Sequence, residues 1–207
     1  MMSSDAPLAG KASTSADLSD FVLTFPEAEA EALRSAFASA NEILEYGSGG
    51  STVVAAQLGK RIISVESDLD WAERMTATLA GISDQARVHY ADIGPTRQWG
   101  YPKWRDGFER YHAYALSVWD HPELSEPDLV LIDGRFRKAC LAAVRLRAKR
   151  KTTVLFDDYT ERGFYHAVEK IATKEETIGR MARFTVIPGP IPPELTTEVI
   201  GWFAESR

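Results

Sequence analysis

Disulfides, zinc clusters and membrane spans are all missing from this chain of 207 residues. Its single cysteine, Cys140, cannot close an internal disulfide, and the four histidines form no cluster with it at zinc-ligand spacing. No apolar run reaches the ~18 residues that a membrane-crossing helix needs. The first twenty residues, MMSSDAPLAGKASTSADLSD, hold no continuous apolar stretch of the kind that directs secretion. A reducing cytoplasm is therefore the expected compartment. Basic charge is also in short supply. Lys and Arg number 24 against 30 Asp and Glu, a net charge of −6, which argues against a chain whose work is coating nucleic acid or an anionic membrane. Internal repeats and low-complexity domains are absent as well.

What remains is an ordinary soluble composition, 44% hydrophobic and 26% charged, long enough to bury a core without staples. Residues 1–17, rich in Ser, Ala, Thr and Gly, read as a mobile tail, and 18–207 as one domain. Short apolar runs alternate with longer helical stretches. A helix over Phe25–Ala40 presents Leu33 and Phe37 at i, i+4 spacing. Strands are expected at Asn41–Tyr46, Arg61–Val65, Arg87–Tyr90, Asp128–Ile132 and Thr152–Phe156. Helices are expected near Ser51–Leu58, Asp68–Leu79, Phe136–Ala148 and Arg162–Ala172. The strands lack polar/apolar alternation, as parallel strands covered on both faces do. Strand then helix, repeated, predicts an α/β doubly wound sheet. The runs Glu176–Ile187 and Thr196–Ala204, around the turn Pro188–Pro193, predict a closing antiparallel hairpin. Between the third and fourth strands the connection Ile93–Pro127 is far longer than a turn requires. It carries three of the five tryptophans, Trp99, Trp104 and Trp119, and reads either as a satellite core or as a lid over substrate.

Chemistry-bearing residues gather at the expected strand ends. Glu45-Tyr46-Gly47-Ser48-Gly49-Gly50-Ser51 sits where the first strand turns into a helix, and glycines there let a ligand approach the backbone. Thr52 stands where a dinucleotide fingerprint wants a small third residue, and no Gly-Lys-Ser/Thr follows, so neither an NAD-type nor a triphosphate loop is matched. Glu45 would repel a pyrophosphate and suit a cationic cofactor. Glu66 at the tip of the second strand is placed to accept ribose hydroxyls, while Ser67 or Asp68 caps the next helix. Asp92 follows the third strand, where an adenine amino group would lie.

Glu45, Gly47, Gly49, Glu66 and Asp92 at successive strand ends resemble the class I S-adenosylmethionine-dependent methyltransferase family, with Ser51 where a third glycine often stands. The resemblance spans roughly Phe25–Arg207. It implies a seven-stranded, mostly parallel sheet of order 3-2-1-4-5-7-6 with an antiparallel terminal hairpin. It also implies S-adenosylmethionine as cofactor, held by Glu45, Gly47, Ser48, Gly49, Glu66, Asp92 and Asp133.

Beyond the fourth and fifth strands lie Asp133-Gly134-Arg135-Phe136-Arg137 and Asp157-Asp158-Tyr159, followed by Arg162 and Tyr165. Asp133, Asp158 and Arg162 are the candidate catalytic residues. Three readings stay open. Arg135 and Arg162 neutralise the acids structurally. Alternatively Asp133, Asp157 and Asp158 resemble the ligand set of metal-dependent catechol-type O-methyltransferases, although Arg135 beside them argues against a metal. In the third reading Arg135, Arg137 and Arg162 grip an anionic substrate while an aspartate acts as base. The segments WGYP, DGRFRKAC and DYTERGFY are similar to a poorly characterised set of methyltransferase-like proteins.

Cys140 and His89 read as core residues, and His112, His121 and His166 as weaker candidates for a base. The basic run Arg145–Lys151 complements a helix C-terminus. The expected function is methyl transfer to a small-molecule acceptor, with a homo-oligomer compatible. The alternatives are a non-catalytic nucleoside-binding protein of the same fold and a nicotinamide-dependent oxidoreductase.

Overall fold

The computed structural model describes residues 21–207; the tail expected over 1–17 lies outside them. A seven-stranded sheet forms the centre. Its strands are β1 (Glu42–Tyr46), β2 (Arg61–Glu66), β3 (Ala86–Tyr90), β6 (Leu129–Ile132), β7 (Thr152–Phe156), β8 (Thr173–Ile178) and β9 (Met181–Val186). A separate two-stranded ribbon, β4 (Thr96–Arg97) and β5 (Tyr101–Pro102), belongs to the long connection. The order β3-β2-β1-β6-β7-β9-β8 is the expected one once the ribbon is set aside. β9 runs antiparallel to both β7 and β8, and the other neighbours pair in parallel.

Alternation along each strand sorts side chains to two cores. Ile43, Ile62, Leu129, Leu131 and Leu155 pack under α1 (Glu27–Ser39), α2 (Gly50–Gln57) and α3 (Leu69–Ala80), where Leu33, Phe37, Val53, Met75 and Leu79 meet them. Leu44, Tyr46, Val130, Ile132, Val154 and Phe156 pack under α4 (Tyr111–Leu116), α5 (Arg137–Arg147) and α6 (Thr196–Trp202). Both faces are covered, which is why the strands read as unbroken apolar runs. Cys140 is fully buried among them, as expected of a core residue, and burial pushes its thiol well above the usual range.

Two expectations are corrected. The closing hairpin is not built from Glu176–Ile187 and Thr196–Ala204. It turns at Gly179 and Arg180, with Gly179 in the left-handed region at φ 55°, so both strands fall within 173–186. Thr196–Trp202 is instead a helix, because Val199 and Trp202 at i, i+3 bury one face while its other side stays wet. The segment expected as a helix from Arg162 is a 3₁₀ run, Gly163–Lys170.

Candidate functional site

The crevice beyond the carboxyl ends of β1 and β6 is where the strand order reverses, the usual ligand position in such sheets. Gly47 leaves β1 with φ 101°, and a methyl group there would lie 2.7 Å from the Gly134 backbone, so the two turns touch main chain to main chain. Trp71 Nε1 donates to Ser48 O at 2.9 Å and pins the loop to α3. Beside Gly49 the direction a side chain would take is open space.

Glu66, Ser48 and the loop lie together at the carboxyl ends of β1 and β2. The Glu66 carboxylate is buried; Oε1 accepts from Ser67 N at 2.6 Å and Asp68 N at 2.9 Å, while Oε2 has only Ser48 Oγ at 3.5 Å. Burial raises its pKa, and the two backbone amides oppose that rise. One lobe of the carboxylate thus keeps acceptor capacity for a hydroxyl.

Glu45 lies behind the loop rather than in the crevice. It is fully buried and accepts from the Ser51 hydroxyl and from Thr52 Oγ1 at 2.5 Å. Burial raises its pKa to about 7 against those hydrogen bonds. Its carboxyl group is taken up by two hydroxyls of the first turn of α2. Asp92 is also diverted: Oδ1 accepts from Gly94 N at 2.9 Å and Oδ2 from Arg110, all within the long connection.

That connection folds back onto the tip of β2. Ser67 Oγ donates to Gly100 O at 3.2 Å, and Thr96 Oγ1 donates to Asp68 Oδ2 at 2.9 Å. A methyl group on Gly100 would sit 3.4 Å from Glu66 Oε1. The Arg135 guanidinium lies 4.2 Å over the Tyr101 ring, and its Nε is buried without a partner. At its neck the strap closes on Gly94 and Gly107, both in the left-handed region (φ 87° and 86°), where any side chain on one would strike the backbone of the other's segment.

Three carboxylates converge on the far side. Asp133, Asp157 and Asp158 offer oxygens within 4.8 Å of one another. Three guanidiniums answer them. Arg137 lies 3.0 Å from Asp133 and 3.2 Å from Asp158, Arg162 lies 2.9 Å from Asp158, and Arg180 grips Asp157 through two bonds of 3.0 and 3.1 Å. With three positive charges already in place, this donor set does not fit a divalent cation. Arg137 is buried and also donates to three backbone carbonyls, of Gly134, Asp157 and Asp133, which ties it into the scaffold. Arg180, on the misplaced hairpin turn, is the member that sequence reasoning missed.

Asp133 keeps a third of its side chain exposed. Desolvation, reinforced by Asp157 and Asp158 and opposed by Arg137, raises its pKa to about 7. Asp158 sits at φ 56°, a backbone conformation of the kind that clusters at functional sites. Tyr165 meets Arg162 at 3.5 Å, whereas the Tyr159 hydroxyl turns away to Glu169 at 2.5 Å. Three of the four histidines serve the scaffold: His89 bonds Ser117 at 2.8 Å, His121 accepts from Glu123 N at 3.2 Å, and His166 meets Tyr159 O at 3.2 Å, while His112 is exposed on α4.

No protein-family profile matches the chain, and no curated protein matches it. Solved structures do. A methyltransferase-like protein from Silicibacter pomeroyi is 45% identical, with a TM-score of 0.85 over 90% of this chain and 98% of that one. A caffeoyl-CoA O-methyltransferase-like structure from Staphylococcus aureus shares the fold at 14% identity and TM-score 0.55, covering 80% of this chain and 85% of that one. An S-adenosylhomocysteine-bound methyltransferase from Podospora anserina does so at 11% and 0.52, covering 78% of each. The chain belongs to the family of the methyltransferase-like protein from Silicibacter pomeroyi, with the fold of the class I methyltransferases.

Proposed function

We propose that the chain transfers a methyl group from S-adenosylmethionine to a small-molecule acceptor. The observation that carries this is the meeting of the Gly47–Gly49 turn, the half-free Glu66 carboxylate and the Asp133–Gly134 turn in the crevice where strand order reverses. Glu66 Oε2 would take the ribose hydroxyls, Gly47, Ser48 and Gly49 would supply backbone beside the amino acid portion, and Gly100 with Tyr101 would cover the nucleoside. When bound, the cofactor supplies a methyl group on a positively charged sulfur. The protein's own part is positioning and proton handling. Asp133, titrating near neutrality, is suited to take the proton that an O–H or N–H acceptor gives up. Asp158 and Arg162 hold Asp133's neighbourhood in register through Arg137.

One observation favours a non-catalytic, nucleoside-binding role: Asp157 and Asp158 are locked in arginine pairs. Thermal unfolding with and without S-adenosylhomocysteine tests the cofactor reading. Ligand at ~100 times its Kd adds about 2.7 kcal/mol, a shift of several degrees at roughly 2–4 °C per kcal/mol. Glu66→Ala reduces that shift. A shift without methyl transfer to any acceptor selects the binding role, and no shift with no heat of binding removes both.

A further inference from the structure

An open groove lies outside the crevice, between the strap and the C-terminal residues, with a volume of about 890 Å³. That is within the ~300–1,000 Å³ of small-molecule sites. Its walls include Trp104 and Phe108, which are 81% and 66% exposed, and Tyr111. Large aromatic rings exposed together in one groove, rather than singly, mark ligand-binding or interaction sites. Trp104 is also held in the left-handed region at φ 61°, rare for a bulky residue. The Tyr111 hydroxyl fixes it there by donating to Trp104 O at 3.2 Å.

Charge selects what covers these rings. Arg97, Lys103 and Arg105 line the same groove against one carboxylate, Asp106. None of the three cations has a carboxylate partner among the described residues, although the whole chain carries a net charge of −6. The floor connects to the crevice. Tyr111 packs on Phe136 with ring centroids 5.2 Å apart, and Phe136 N donates to Ser206 O at 3.4 Å, so the groove rests on the turn that begins at Asp133.

We propose that this groove binds the methyl acceptor as a planar aromatic anion, its ring against Trp104 and Phe108 and its carboxylate or equivalent acid facing Lys103 and Arg105. The proposal rests on the methyl-transfer reading for the word acceptor, and on the groove alone for the ligand class. Stacking on indole and pairing with a guanidinium both reward that shape and charge. Single-stranded nucleic acid also stacks on exposed aromatics beside cations, but the groove's size and the chain's net negative charge favour a small molecule.

Calorimetric titration of the full chain with naphthoate and with its neutral isostere naphthamide tests the proposal. Naphthoate binds about tenfold more tightly than naphthamide. The double variant Lys103→Glu with Arg105→Glu erases that preference, and Trp104→Ala weakens both ligands; all these side chains are exposed, so the fold is spared. Equal binding of acid and amide, or naphthoate binding indifferent to the double variant, overturns the proposal. Tighter binding of an oligothymidylate than of naphthoate overturns it in favour of nucleic acid. S-adenosylhomocysteine shifts are measured on the same proteins. Acid preference without such a shift keeps the groove and discards methyl transfer; a shift with no naphthoate binding does the reverse.

Discussion

Glu45 is a carboxyl group folded away from water, and its protonation is a stability device. Its folded value of about 7 lies above the ordinary 4.5, so folding favours the protonated form. The stabilisation is complete below about pH 4.5 and is lost as pH rises through about 7. Glu45→Gln, neutral at every pH, lacks this dependence. Urea unfolding at a series of pH values is therefore expected to show wild type losing about 3 kcal/mol relative to the variant between those limits. Asp133 adds the same sign over a similar range, reduced by its partial exposure to solvent. Arg180 acts in the opposite sense, by compensating a charge. Asp157 is 1% exposed and bound to it twice, so Arg180→Ala strands a buried carboxylate at a cost of about 3 kcal/mol. The double variant with Asp157→Asn recovers most of that loss in the same urea assay.

At the scale of elements, legibility followed burial. The five parallel strands and α1 were readable because each carries apolar residues that must be hidden. β8 was not, since its residues Thr173–Ile178 lie on an exposed edge and are polar along most of their length, as edges that resist pairing are. Gly179 was the available signal for the turn, and Pro188–Pro193 outweighed it. The apolar run at Val199–Trp202 was too short for periodicity to separate strand from helix. Among site residues, Gly47, Ser48, Gly49, Glu66 and Asp133 do come together. Glu45 and Asp92 are instead engaged within the protein, Glu45 by the Ser51 and Thr52 hydroxyls and Asp92 by Arg110. Tyr101 is the strap's anchor, stacked on Arg135. Tyr101→Ala releases a cation–π contact of about 1 kcal/mol. Hydrogen exchange is then expected to quicken over residues 95–106 while the sheet amides keep wild-type protection; unchanged exchange in the strap would show that Tyr101 does not hold it.

For the whole molecule, one sheet separates two kinds of work. Its carboxyl-terminal edge carries the Gly47 loop, Glu66 and the balanced acid–arginine cluster, and the long connection drapes over that edge from β3 to β6. The described chain has no helix long and apolar enough to cross a membrane. The backbone contact between Gly94 and Gly107 gives the strap a narrow neck, and Gly100 rests beside the Glu66 carboxylate proposed above to take the ribose. Under the proposed function, such a strap would set the timing of turnover. A cofactor that binds only when the strap is lifted has its apparent affinity divided by the open fraction, and the spent cofactor leaves no faster than the strap reopens. Rapid-mixing assays on an accepted substrate would then show a burst of one methyl group per chain followed by a slower steady rate. Tyr101→Ala would raise that steady rate and leave the burst amplitude unchanged.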